Sequence, residues 1–200
     1  MNPIEALDTA IRSNAGAWFE GYGKIWAKDR AKGLLIPKQN YLQRKIQAVV
    51  NRFTEAGLPQ RIIGLKPRQK GSTTYFAAVD YTHLRRKSAH ACVIGGQYSQ
   101  TKEIWEMLST YQANDGFDWK NTGKIDTKEG RWTNGSRLKA ETAGDVTAGI
   151  AGTYQVLHAT EVARWARWGV SNAASVLTNI LKCVPLLPDT LVILESTAEG

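Results

Sequence analysis

A β-branched apolar run that breaks into a turn of glycine, hydroxyls and cations, then restarts as a helix, admits few folds. Here the run is Arg61-Ile62-Ile63-Gly64-Leu65, and the turn is Lys66-Pro67-Arg68-Gln69-Lys70-Gly71-Ser72-Thr73-Thr74. Tyr75-Phe76-Ala77-Ala78-Val79 then reads as the start of a buried helix. Such a turn wraps backbone N–H groups around anionic oxygens and points the positive end of a new helix at them, which suits phosphate. The usual pattern, G-x-x-x-x-G-K-[ST], is met in part. Gly71 and Thr73 fall on its second glycine and its metal-binding hydroxyl, while Lys66 replaces the first glycine and Ser72 the lysine. On the bare pattern, a basic loop that holds no phosphate fits about as well.

Two hundred residues suffice for one sizeable domain with a short helical appendage. An apolar fraction of 42% and a charged fraction of 22% are those of a soluble globular chain. No apolar run approaches the roughly 20 residues of a membrane span, and no secretory leader is visible, so a cytoplasmic setting and no membrane partner are expected. Cys92 and Cys183 each sit in an apolar stretch and read as buried free thiols. The net charge of +8 favours a polyanionic partner, read through its backbone charge and without sequence preference.

Residues 1–33 carry two helical patterns. Pro3 and Ile4 open the first, with Ile4, Leu7 and Ile11 on one face; Trp18, Phe19, Tyr22 and Trp26 mark the second. Helix-spaced aromatics of this kind are more often packing than a stacking surface for bases. The segment is expected to be an N-terminal helical arm over the core or a neighbouring subunit. Leu34 to Tyr41 breaks the pattern, and Leu42 to Val50 restarts a helix. The phosphate-loop helix should end at Arg85-Arg86-Lys87, where cations suit the dipole. Ala89 to Gly95 is a buried strand, expected beside the phosphate-loop strand, and Gln97 to Tyr111 an amphipathic helix. Asn114 to Arg131 is polar, and its Lys120, Lys124, Lys128 and Arg131 could face a duplex or simply be solvated. Asn134-Gly135 signals a hairpin before the alternating strand Arg137 to Thr142, and residues 143–152 are glycine-rich and suit a loop near the site. Tyr154 to Glu161 is a strand ending in an acid, with His158 a satisfied core histidine. Thr190 to Glu195 is another buried strand, running into Ser196-Thr197-Ala198-Glu199-Gly200.

Lys66-x-Arg68-Gln69-x-Gly71-x-Thr73-Thr74 resembles the deviant phosphate loop of the large terminase subunits of tailed bacteriophages, ATP-driven motors that package DNA into capsids. His158-Ala159-Thr160-Glu161-Val162-Ala163-Arg164-Trp165 resembles the His-x-Ser-Glu-Val-Ala-x-Trp of one branch, and the Ser196-Thr197-Ala198 run resembles the family's coupling motif. The resemblance runs from roughly Leu34 onward. It implies an α/β fold of the P-loop NTPase (ASCE) type, a three-layer sandwich around a mostly parallel sheet, with residues 34–200 as a partial ATPase domain behind the arm 1–33. The resemblance also implies that ATP is the substrate and Mg²⁺ the cofactor. Residues Lys66 to Thr74 would bind the nucleotide. Gln47, with Gln39 second, would read adenine. Arg68 would act as an arginine finger in cis, and Glu161 would activate water, close to the loop of a neighbouring strand. Thr73 would ligate the metal, while Thr160, where most such ATPases have Asp, could hold only a metal-bound water. Ser196, Thr197 and Ala198 would couple hydrolysis to motion, and Arg164 or Arg167 could reach a neighbouring subunit. The implied partners are double-stranded DNA, the portal protein, the small terminase subunit and further copies in a homo-oligomeric ring. The implied location is the cytoplasm of the infected bacterial host and not the mature virion. A terminase would continue past Gly200 with the rest of the sheet and a nuclease domain, so no nuclease activity is assigned to this chain. Two other readings stay open: a nucleotide- or DNA-binding scaffold without turnover by itself, and a helicase-like P-loop ATPase.

Overall fold

A computed structural model describes residues 6–7, 9–11, 14–86, 88–115, 129–144 and 152–198. The expected helix start at Pro3 and Ile4, the lysines Lys120, Lys124 and Lys128, most of the glycine-rich stretch, and Glu199 and Gly200 lie outside the described residues.

The first long element, α1 (Ala15–Gly21), is capped by the Asn14 side chain, which accepts from the Ala17 N–H at 3.0 Å. The aromatic spacing predicts a helix reaching Trp26, but α1 stops at Gly21. Gly21 and Gly23 weaken it. The chain then folds back so tightly that the N–H groups of Tyr22 and Gly23 both donate to the Trp18 carbonyl. A Cβ on Gly23 would lie 2.8 Å from the Phe19 oxygen, so the turn requires glycine. Trp26 instead joins β1 (Ile25–Trp26), which pairs antiparallel with β2 (Leu34–Leu35). Helix α2 (Tyr41–Glu55) opens on a full capping box between Asn40 and Gln43.

The sheet follows from runs too apolar to expose either face. β3 (Gln60–Lys66) leads into helix α3 (Ser72–Arg86), β4 (His90–Gly95) into helix α4 (Tyr98–Asn114), and β5 (Glu129–Arg131) into β6 (Arg137–Thr142). β7 (Val156–Thr160) is buried at every residue, as a strand covered on both faces must be. Helix α5 (Ala173–Lys182), in a segment the sequence reading left unassigned, precedes β8 (Leu191–Thr197). The strand order is β3-β8-β7-β4-β6-β5, parallel except for β5, which pairs antiparallel with β6 through the expected turn at Gly135 (φ +87°). The fold is therefore mixed α/β, with a mostly parallel six-stranded sheet and an apolar core on each side.

This order corrects one expectation: β4 does not lie beside β3, because β8 and β7 stand between them. β8 pairs with β3 over its whole length, from Gln60 with Leu191 to Lys66 with Thr197. The last strand in sequence thus separates the phosphate-loop strand from the strand bearing Glu161.

A second correction concerns the basic end of α3. Arg85 is buried, and its Nε lies 2.6 Å from Asp115 Oδ2, so it answers a buried carboxylate and not the helix dipole at the surface. The same carboxylate accepts from the Tyr81 hydroxyl at 2.7 Å and the Trp18 indole at 3.1 Å. Trp18 also packs edge-on against Tyr111 and tilted on Tyr81, which ties α1 into the core under α3 and α4. Trp18→Ala should cost about 3–5 kcal/mol in urea unfolding, since it opens a cavity and takes the indole donor from Asp115 Oδ1. A loss under about 1 kcal/mol would contradict α1 as part of the core.

Candidate functional site

Two backbone reversals shape the loop after β3. Gln69 (φ 57°) and Gly71 (φ 70°) both sit in the left-handed region, a conformation that costs a non-glycine residue roughly 1–2 kcal/mol. Helix α2 holds the loop there: Asn40 Nδ2 donates to the Lys70 carbonyl and Gln43 Nε2 to the Gly71 carbonyl, each at 2.9 Å. The capping-box residues of one helix therefore take the carbonyls of the loop. The first-turn N–H groups of α3, which have no partner within the helix, line the mouth of a cavity of about 520 Å³. The wall runs from Lys66 to Thr74 and is completed by Glu161, Thr197, Glu103 and Met107.

Because β8 lies between β3 and β7, three parallel strands deliver their C-terminal ends to this cavity, the usual place for a ligand in an open α/β sheet. Lys66 ends β3 opposite Thr197, and Thr160 ends β7 opposite Glu195. Glu161 follows β7 in the left-handed region (φ 53°, ψ 38°), which turns it back toward β8. Both its oxygens are met by Thr197: the hydroxyl donates to Oε1 at 2.6 Å and the N–H to Oε2 at 3.1 Å. The Lys66 ammonium lies 2.9 Å from Glu195 Oε1 and 3.5 Å from Glu161 Oε1, and it also contacts the Thr73 hydroxyl.

Behind Lys66 runs a buried chain of charge. Glu195 Oε1 is 3.4 Å from His158 Nε2, and His158 Nδ1 is 2.6 Å from Asp80 Oδ2. Asp80, His158 and Glu195 are all 1% exposed or less. Burial disfavours the imidazolium, but Asp80 and Glu195 on its two sides win and raise His158 to about 9. Burial likewise pushes Glu195 up, and His158 and Lys66 more than offset it, holding its carboxyl at about 2. For Glu161, burial is again outweighed, by the two Thr197 hydrogen bonds, Lys66 and Arg164, so its carboxyl stays below the ordinary range. The Arg164 Nε lies 3.6 Å from Glu161.

Of the residues singled out in the sequence, Lys66, Thr73, Glu161 and Thr197 meet around one point. Pro67, Arg68, Gln69 and Lys70 form the exposed rim of the loop, while Ser72 is buried and its hydroxyl has no partner among the described residues. Glu161 is close to the loop, though its strand is not the loop's neighbour. Thr160 turns its hydroxyl to Glu195 Oε1 at 2.9 Å and is absent from the cavity wall. Ser196 is buried beside Leu65, and the Ala198 N–H donates to the Lys66 carbonyl at 3.0 Å. Gln47 points elsewhere: its carbonyl accepts from the Tyr75 hydroxyl at 2.5 Å and its amide donates to Asn51, while Gln39 also reaches Tyr75. Glu195, Asp80, Asn40 and Gln43 were not anticipated. An acid ending an otherwise apolar strand, and a capping-box pair just ahead of the loop, were the signals that could have marked Glu195, Asn40 and Gln43.

No family model matches this sequence, and neither does any curated protein. The fold is similar to a solved structure, a mutant of the large terminase ATPase domain of Thermus phage P74-26, at a TM-score of 0.50 and 15% identity. The match covers 88% of this chain and 71% of that one. At this identity the likeness is one of fold.

A protonated His158 ties stability to pH in a definite direction. Because its folded pKa is raised, its contribution is full below the unfolded value near 6.5 and is lost as pH rises through about 9. Urea unfolding should show wild type losing on the order of 1–3 kcal/mol over that window relative to His158→Gln. Parallel profiles for the two proteins would contradict a charged His158.

Proposed function

We propose that this chain is the ATP-hydrolysing part of a DNA-packaging motor of the large terminase type, with residues 34–200 carrying the site and 1–33 the arm. The observation that supports it best is the meeting of the Lys66 loop and Glu161 across one cavity. The fold likeness, the net charge of +8 and the ordered motifs agree with it.

In this reading the loop N–H groups and the α3 N-terminus hold the phosphates of ATP, and Lys66 neutralises them as a mobile point charge. Arg68, exposed on the rim, reaches over the γ-phosphate and stabilises charge on the transferring group. Glu161 orients and polarises the attacking water; a carboxylate held below its ordinary pKa stays ionised for that task. Thr197, bonded to that carboxylate through its hydroxyl and its N–H, passes the state of the site to β8 and to its neighbours Ser196 and Ala198. The oxygen donors around Lys66 suit Mg²⁺: the Thr73 hydroxyl, two carboxylates and the unpartnered Ser72 hydroxyl nearby are hard ligands. Among the described residues no cluster of three or more His, Cys, Asp or Glu forms a metal cage, and a Mg²⁺ shared with phosphates needs only one or two carboxylates. Bound there, Mg²⁺ would neutralise charge on the β- and γ-phosphates. Double-stranded DNA, the portal protein, the small terminase subunit and further copies in a ring are the partners this reading carries, in the host cytoplasm. Among the described residues no helix is long and apolar enough to cross a membrane.

One observation favours a second reading, a nucleotide- or DNA-binding scaffold without turnover by the isolated chain: Glu161, the acid that would activate water, is paired with the loop's own lysine. Phosphate release, measured with and without linear duplex DNA, separates the two. The motor reading expects release that Glu161→Ala lowers by at least about 100-fold while nucleotide affinity stays within about threefold. Equal release by wild type and Glu161→Ala contradicts it.

A further inference from the structure

We infer that Glu195, on the strand beside Thr160, is the carboxylate that faces the divalent cation of this site, the role an acid at position 160 would otherwise fill. The inference rests on the nucleotide-site reading above and adds to it a ligand from a different strand. Thr160 and Glu195 are register partners on adjacent parallel strands, so the two positions deliver side chains to nearly the same place. The Thr160 hydroxyl donates to Glu195 Oε1 at 2.9 Å, which makes threonine the support and glutamate the charge.

Three further observations single out Glu195. Glu161 and Glu103 are the other carboxylates at the cavity, but among the described residues the Thr73 hydroxyl donates to Glu195 and to neither of them. The Thr73 hydroxyl, the ligand expected from the phosphate loop, lies 3.4 Å from Glu195 Oε2, so loop and strand converge on one point. That point already holds a cation, since the Lys66 ammonium contacts Thr73, Glu195 and Glu161 together. Ser72, one residue before Thr73, belongs to the cavity wall and is 3% exposed, and among the described residues its buried hydroxyl has no hydrogen-bond partner.

The surroundings explain why a glutamate can serve from beneath the cavity. Lys66 covers Glu195, which is itself only 1% exposed. When a polyphosphate draws the ammonium toward its own oxygens, the position left behind is anionic and hydroxyl-lined. His158, fixed by Asp80, holds the carboxylate from the far side, as an outer-shell partner orients a metal ligand.

The test is the affinity of a fluorescent ATP analogue measured in Mg²⁺ and in EDTA, with Mn²⁺ electron paramagnetic resonance as a direct readout of the metal. Wild type should bind more tightly in Mg²⁺. Glu195→Gln should lose about ten- to hundredfold in Mn²⁺ affinity while its affinity in EDTA does not fall, because a competitor for Lys66 is gone, and Thr160→Val should lose less metal affinity. Thr160→Asp combined with Glu195→Gln should restore the metal dependence by returning the charge to the register partner. If Glu195→Gln does not fold, a crystal of the wild type with the analogue and Mn²⁺ tests the same point: an anomalous peak in contact with a Glu195 oxygen supports the inference, and a peak on Glu161 or on no carboxylate overturns it. An undiminished Mg²⁺ effect in the folded Glu195 variant, or its loss in Thr160→Val alone, overturns the inference and leaves the nucleotide site standing. Failure of wild type to bind the analogue in either buffer overturns the nucleotide site and the inference with it.

Discussion

The buried ion pair between Lys66 and Glu195 is the constraint on which the site depends. Taking two charges out of water costs several kcal/mol per ion, and the cost is met only when each has partners of good geometry. Lys66 has two carboxylates and a hydroxyl; Glu195 has Lys66, Thr160 and His158, and His158 in turn has Asp80. The members come from four elements, β3, β8, β7 with the turn after it, and α3. The pair can exist only if β8 runs between β3 and β7 in the register observed, with Lys66 against Thr197 and Thr160 against Glu195. One electrostatic requirement thus fixes the strand order at the cavity.

That arrangement also sets what the cavity can receive. A lysine already surrounded by carboxylates is a cation in equilibrium with its own protein, and an incoming polyanion competes with Glu195 and Glu161 for it. The exchange liberates negative charge at the floor of the cavity while positive charge moves toward the ligand. On the function proposed above, a site built this way would favour a polyanion arriving with a divalent cation over either alone, because only the two together would leave every buried charge paired.

Much of this was legible in the sequence because local chemistry decided it. The turn between Leu65 and its helix, the strands around Val93, Leu138, Leu157 and Ile193, and the hairpin at Asn134-Gly135 all follow from apolar runs and turn residues, which act over short range. What escaped was set by distant pairing. The alternation of strands and helices carries no statement of strand order, so β4 was placed beside β3 although β8 and β7 intervene. Trp26 fitted a helical period that Gly21 and Gly23 interrupt. Arg85 looked like a dipole cation until Asp115, thirty residues on in the chain, appeared against it. His158 is buried in the core as expected, yet its charged neighbours, Asp80 and Glu195, lie on elements that no local pattern connects, and only its Nδ1 makes a hydrogen bond among the described residues. Gln47 had the composition of a base reader, but its two ends answer Tyr75 and Asn51.

The central claim, that the loop after β3 and the acid after β7 enclose one polyphosphate, is tested most directly by a crystal structure with a non-hydrolysable ATP analogue and Mg²⁺. The account predicts the triphosphate between the loop N–H groups and Glu161, with the Lys66 ammonium on a phosphate oxygen. An analogue bound elsewhere, with Lys66 still paired to Glu195 and Glu161, would contradict it.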